Sequence, residues 1–170
     1  MCATCGCDAN GNISIHHPDH QDHDHHHVQQ KKIIAVEKDV LHENNLLAER
    51  TRGYFDAKNI LAINLVSSPG SGKTTLLERT LIDLKRELEF AVIEGDQQTT
   101  NDADRIHATD TKVVQINTGK GCHLDAHMVL HALQGMKPKQ NSVLFIENVG
   151  NLVCPAMFDL GEKERVVIIS

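Results

Sequence analysis

Three groups of soft-metal side chains lie in this 170-residue chain. The run Met1–Cys2–Ala3–Thr4–Cys5–Gly6–Cys7 places three thiols close together. Thiolates favour nickel, zinc and copper(I) over magnesium, so Cys2, Cys5 and Cys7 could wrap one such ion. A redox motif or a disulfide is the alternative, but neither accounts for three thiols on a polar segment in a reducing compartment. The second group is scattered in sequence: Cys122 and His123, and then Cys154. Two thiols and an imidazole suit Zn2+ or Ni2+, with a fourth position left to water or a partner. Cys154 as a small buried apolar residue, with His123 opening a helix, is the competing reading. The third group is His16, His17, His20, His23, His25, His26 and His27, interleaved with Asp19, Asp22 and Asp24. Such imidazoles can chelate divalent ions weakly and in number, which suits storage. A purification tag is the alternative, but this run is internal and broken by aspartates.

A different chemistry is written in Ser67–Ser68–Pro69–Gly70–Ser71–Gly72–Lys73–Thr74. Gly70 and Gly72 allow backbone angles that turn N–H groups, including that of Ser71, toward one anion. A helix starting at Lys73 adds the positive end of its dipole. The stretch resembles a P-loop, in which Lys73 reaches the β- and γ-phosphates of a nucleotide and Thr74 places its hydroxyl on Mg2+. Thr75 continues the phosphate-binding segment. Ser67 stands where the pattern has its first glycine, the most replaceable position.

Two acids could complete that site. Asp96 follows the apolar run Ala91–Val92–Ile93, and Glu147 follows Val143–Leu144–Phe145–Ile146. Ligands of open parallel sheets sit beyond the carboxyl ends of the strands, so both acids are expected on the edge that carries Lys73. Either could serve catalysis, and Asp96 could hold Mg2+ directly or through water; a solvated acid capping the next helix is the plainer alternative.

These residues need a scaffold. Residues 1–32 have almost no large apolar side chains and are expected to form a disordered arm. Val36, Val40, Leu47 and Tyr54 recur at helical spacing, predicting an amphipathic linker helix over 33–58. From 59 to 170, strands are expected at 59–66, 90–94, 112–117, 142–147 and 165–169, and helices at 73–88, 101–108 and 124–135. The alternation predicts an α/β domain with a mostly parallel sheet flanked by helices. Most strands are continuous apolar runs, as sheets covered on both faces require. Arg165–Ile169 reads as a buried strand, and a chain stopping there is expected to be shortened. A net charge of −6 argues against nucleic acid. No apolar run spans a membrane and no signal peptide is legible, so the expected location is the cytoplasm.

Taken together, these motifs resemble the HypB family of GTP-dependent nickel-incorporation proteins of hydrogenase maturation. The resemblance is collinear: Cys2–x–x–Cys5–x–Cys7, then Leu65 to Leu77, Glu94–Gly95–Asp96–Gln97–Gln98–Thr99, Asn117 to Ala126, and Phe145 to Pro155. It implies a GTP-hydrolysing nickel chaperone whose nucleotide state controls nickel delivery. It also implies a tight nickel site on Cys2, Cys5 and Cys7, and a second zinc or nickel site on Cys122, His123 and Cys154. GTP-dependent homodimers, a small zinc-binding nickel-insertion partner and the hydrogenase large subunit are the implied associates. Members of the family continue into an Asn-Lys-x-Asp segment that reads guanine, whereas this sequence ends at Ser170. The domain is therefore expected to lack its C-terminal part and to expose an apolar edge. The alternative function is a nickel or zinc store with an impaired GTPase domain.

Overall fold

The computed structural model describes residues 26–97, 101–119 and 121–170, with residues 26–37 described by their backbone course only. Cys2, Cys5, Cys7 and the histidines before His26 lie outside the described residues. The chain divides into two units, residues 1–42 and 43–170. In the first, the described segment is helical from His26 onward. That helix, α1 (His26–Lys58), starts earlier than the expected residue 33. The stretch from His26 to Lys32 contains no glycine or proline to stop it.

The second unit follows the order β1 (Leu61–Ser67), α2 (Lys73–Leu84), β2 (Phe90–Asp96), α3 (Asn101–His107), β3 (Lys112–Asn117), α4 (Ala126–Met136), β4 (Val143–Glu147), α5 (Cys154–Met157) and β5 (Glu164–Ile168). The strands form one sheet in the order β3-β2-β4-β1-β5, and every pairing is parallel. Parallel strands bury both faces, and alternation of side chains divides each strand between two cores. Ala91 and Ile93 of β2 and Leu144 and Ile146 of β4 join Leu124, Val129, Leu133 and Met136 in one. Val92 and Phe145 join Leu65, Leu77, Leu81 and Ile106 in the other.

The expectations for the last strand and for the buried face of α1 also change. The closing segment is not a buried strand: β5 is the outermost strand beside β1, with Val167 53% and Ile169 85% exposed. On the last turns of α1, the buried stripe is Asn44, Ala48, Thr51 and Phe55, while Leu47 and Tyr54 are half-buried. Asn44 is drawn inside by hydrogen bonds, donating to the Asp159 carbonyl (2.8 Å) and accepting from the Ala126 N–H (2.9 Å). A reading of apolar periodicity cannot see a buried polar anchor of this kind. Among the described residues no helix is long and apolar enough to cross a membrane.

Candidate nucleotide and metal sites

Because all strands run one way, the loops after β1, β2, β3 and β4 leave one edge of the sheet. The first is the phosphate loop. Gly70 (φ 73°) and Gly72 (φ 85°) both adopt the left-handed conformation, and no atom of the described residues lies within 4 Å of where a Cβ would sit. Backbone conformation, rather than crowding, is what demands glycine there. Gly72 is the N-cap of α2 and supplies no side-chain cap, so the first N–H groups of the helix stay available to an anion. Ser71 Oγ is buried without a hydrogen-bond partner among the described residues.

Glu147, at the end of β4, meets this loop. Its Oε1 accepts from Lys73 Nζ at 2.9 Å and from Thr74 Oγ1 at 2.5 Å. Glu147 is 1% exposed, so Lys73 supplies a counter-charge that a buried carboxylate requires. Its Oε2 has no partner among the described residues. A hydroxyl and a buried carboxylate with a free oxygen form a hard-oxygen donor set that fits Mg2+. Thr75 points elsewhere, accepting from Arg105 of α3 at 3.1 Å; Arg105 also pairs with Glu78 at 2.6 Å. Asp96 ends β2 one strand beyond β4 and accepts the Gln97 N–H at 2.6 Å.

No local sequence motif marks Glu94 as functional. It pairs in register with Glu147 and is 2% exposed. Burial foremost, then the nearby charges of Glu147, Asp96 and Asp102, push its carboxyl up to about 8. The missed signal was period two: Glu94 projects from the same face of β2 as Asp96.

The β3–α4 loop carries Cys122 and His123, and Cys154 is the first residue of α5. Their ligand atoms all lie within 4.8 Å of one another, and Cys122 Sγ is 3.6 Å from His123 Nδ1. One tetrahedral Zn2+ with ordinary bond lengths would need these donors about 3.5–3.8 Å apart, a small closure. The His123 ring stacks on Phe158 with centroids 4.0 Å apart. Burial lowers its pKa although Asp125 pulls the other way, so the ring favours the neutral form that ligates metal.

Both metal-side loops are tied to the phosphate side. The Thr118 N–H donates to the Asp96 carbonyl (2.9 Å), and the Thr118 hydroxyl to the Gly121 carbonyl (2.9 Å). Beyond β4, Asn151 forms an isolated bridge with Ser67, and a Cβ on Gly150 would stand 3.1 Å from Pro69 Cα. Asn151 Oδ1 then accepts the N–H groups of Val153 (2.8 Å) and Cys154 (3.4 Å), fixing the start of α5. Arg165 of β5 holds the far side of that loop through the carbonyls of Ala156 (2.8 Å) and Phe158 (3.0 Å).

A parallel α/β sheet with a left-handed glycine loop, Lys73 and Thr74 at the start of a helix, and an acid on the neighbouring strand defines a P-loop nucleotide-binding domain. Residues 61–167 match the family described as CobW/HypB/UreG, nucleotide-binding domain. The chain belongs to that family, within its HypB group. It is 59% identical over 143 residues to hydrogenase maturation factor HypB of Rhizobium leguminosarum bv. viciae, covering 84% of this chain and 48% of that protein. Against the HypB of Escherichia coli (strain K12) the identity is 60%, covering 84% and 49%. The crystal structure of HypB from Archaeoglobus fulgidus superposes with a TM-score of 0.69 at 43% identity, over 76% of this chain and 63% of that one. HypB from Helicobacter pylori in complex with nickel gives 0.67 at 41%, over 74% and 59%. The chain spans about half the length of the curated relatives it matches.

Proposed function

We propose that this protein hydrolyses GTP and uses the nucleotide state to control delivery of nickel during maturation of NiFe hydrogenase. The names of its relatives support the biological setting, and the nickel complex of the Helicobacter pylori protein supports the cargo. One observation carries the mechanism. The segment running from Glu147 to Cys154 touches the phosphate loop at Ser67 and Pro69 on its way to the thiol–imidazole cluster.

Lys73 exchanges its partner when nucleotide arrives, leaving Glu147 for the β- and γ-phosphates. Gly70, Ser71 and Gly72 offer backbone N–H groups to the same phosphates, and the Thr75 N–H continues this wall while its hydroxyl stays with Arg105. Thr74, Asp96 and Glu147 present the oxygens for Mg2+, and Asp96 or Glu147 orients the attacking water. Mg2+ bound there supplies charge neutralisation on the phosphate oxygens. Movement of Glu147 or the phosphate loop displaces the Gly150–Asn151 turn, and with it Cys154 relative to Cys122 and His123. Nickel or zinc held by these three ligands is then bound differently in the two nucleotide states. Cys2, Cys5 and Cys7 form the other nickel site, and the chain acts in the cytoplasm as a GTP-dependent homodimer. Its partners are a small zinc-binding nickel-insertion protein and the hydrogenase large subunit.

The test is nickel affinity measured with GDP and with a non-hydrolysable GTP analogue. A several-fold difference is expected, and equal affinities sink the coupling. A metal store with an impaired GTPase domain is the second reading, favoured by the clustering of Cys2, Cys5, Cys7 and the histidines in residues 1–32. It predicts that deleting residues 1–32 removes most bound nickel, and that GTP turnover is undetectable in either form.

A further inference from the structure

Glu94 has no part in the chemistry described so far, yet it occupies a costly position. It stands directly across from Glu147 on adjacent parallel strands, so the two carboxylates share one face of the sheet about 5 Å apart at the backbone. Both side chains are closed off from solvent, at 2% and 1% exposure. Each also has one buried oxygen, Oε2, with no hydrogen-bond partner among the described residues. An unpaired buried polar atom costs about 1–3 kcal/mol, and more if charged. Packing alone would be better served at residue 94 by an apolar side chain such as that of Val92, two residues earlier on the same face. Lys73 reaches only Oε1 of Glu147, and it is the cation that phosphate would draw away. One unpartnered oxygen on each of two buried carboxylates in register, with the Thr74 hydroxyl already on Glu147 Oε1, makes a donor set for a small hard cation, not for a soft one.

We propose that Glu94 is a carboxylate ligand, alongside Glu147, of the divalent cation that accompanies the nucleotide. The cation is then held from β2 as well as from β4 and α2. This inference rests on the nucleotide-binding reading. Removing one carboxylate weakens the hold on the cation but spares the phosphate contacts of Lys73 and the glycine loop.

The experiment titrates Mg2+ against binding of mant-GDP and mant-ADP to the full chain, for wild type, Glu94→Gln and Glu94→Ala. Mn2+ relaxation enhancement provides a direct count of bound cation, and thermal unfolding checks the fold of each variant. Expected is at least a tenfold rise in the Mg2+ concentration giving half-maximal binding in Glu94→Gln, with nucleotide affinity in EDTA unchanged or tighter. Glu94→Ala guards against a glutamine that binds cation through its amide. An unchanged Mg2+ half-point in both folded variants overturns the role of Glu94 and leaves the nucleotide site standing. A wild type that binds neither nucleotide at any Mg2+ concentration overturns both.

Discussion

Asn148 and Leu124 join the two halves of the site. The side-chain Oδ1 of Asn148 accepts the Leu124 N–H at 3.1 Å, and both residues are sealed from solvent. Asn148 follows Glu147, which holds Lys73 and Thr74; Leu124 follows His123, which faces Cys122 and Cys154. One buried hydrogen bond therefore separates the phosphate-side carboxylate from the imidazole. Asn148 also donates to Asn64 Oδ1 at 3.4 Å, and Asn64 donates to Glu162 at 3.1 Å. A buried polar chain of this sort fixes its members when fully paired and is costly when broken.

Replacing Asn148 with alanine leaves the Leu124 N–H without its acceptor in a dry site. A stability loss of about 1–3 kcal/mol is expected. The ratio of nickel affinities between GDP and GTP-analogue states should move toward one. Urea unfolding and competitive metal titration check both; a ratio equal to that of wild type removes Asn148 from the connection.

Cys122→Ser and Cys154→Ser should each remove the same single equivalent of bound Zn2+ or Ni2+ from the full chain. Loss of one ligand from a three-ligand site should weaken metal binding at least about tenfold, while mant-GDP affinity is retained. If only one of the two variants loses metal, the two sulfurs do not share an ion.

Stability of the metal-free, nucleotide-free protein should fall as pH rises from about 4.5 to 8. In that window Glu94 keeps its proton when folded and loses it when unfolded, so the folded state binds the extra proton. Glu94→Gln should flatten this slope. Glu162 works in the opposite direction. Burial pulls its pKa up, but hydrogen bonds from Asn64, Arg165 and the Leu160 N–H outweigh that and hold it below the usual carboxylate range. Its contribution is complete above that range and is lost on acidification. Denaturant midpoints across pH 4–9 read out both; a rise in stability from pH 5 to 8 that Glu94→Gln leaves unchanged contradicts the assignment.

Gly161→Ala should cost more than Gly95→Ala. Gly161 sits at φ 83°, and an added Cβ would lie 2.6 Å from the Ala48 carbonyl and 2.9 Å from the Arg52 nitrogen. Backbone atoms cannot step aside, so strain and overlap together should cost about 2–4 kcal/mol. At Gly95 the clash is with the Leu124 side chain at 2.8 Å, which can shift for about 1–3 kcal/mol. That shift should also weaken metal binding next door at His123. Urea unfolding of the two variants decides the order, and the reverse ranking would refute this account.

Much of the scaffold was legible because its signals are local. An apolar run flows into Gly70–Ser71–Gly72–Lys73–Thr74, and one turn of chain dictates both the left-handed glycines and the helix that follows. The third strand falls at residues 112–117 as expected, bounded by polar residues at both ends. Boundaries shifted where hydrogen bonding outlasts hydrophobicity: β2 continues through Gly95 and Asp96 because they pair with Ile116 and Asn117. The short helix α5 was not expected, since Asn151 rather than any apolar pattern starts it.

By itself the sequence determined the phosphate loop, the alternation of strands and helices, and which side chains were chemically able to hold metal or phosphate. Those follow from neighbouring residues and from steric rules that act over a few bonds. Only the tertiary structure decided that Cys122, His123 and Cys154 converge, that Glu94 faces Glu147, and that β5 lies at an exposed edge. Each of these depends on strand order and register, which are set by contacts between residues tens of positions apart. No periodicity within a single segment can specify them.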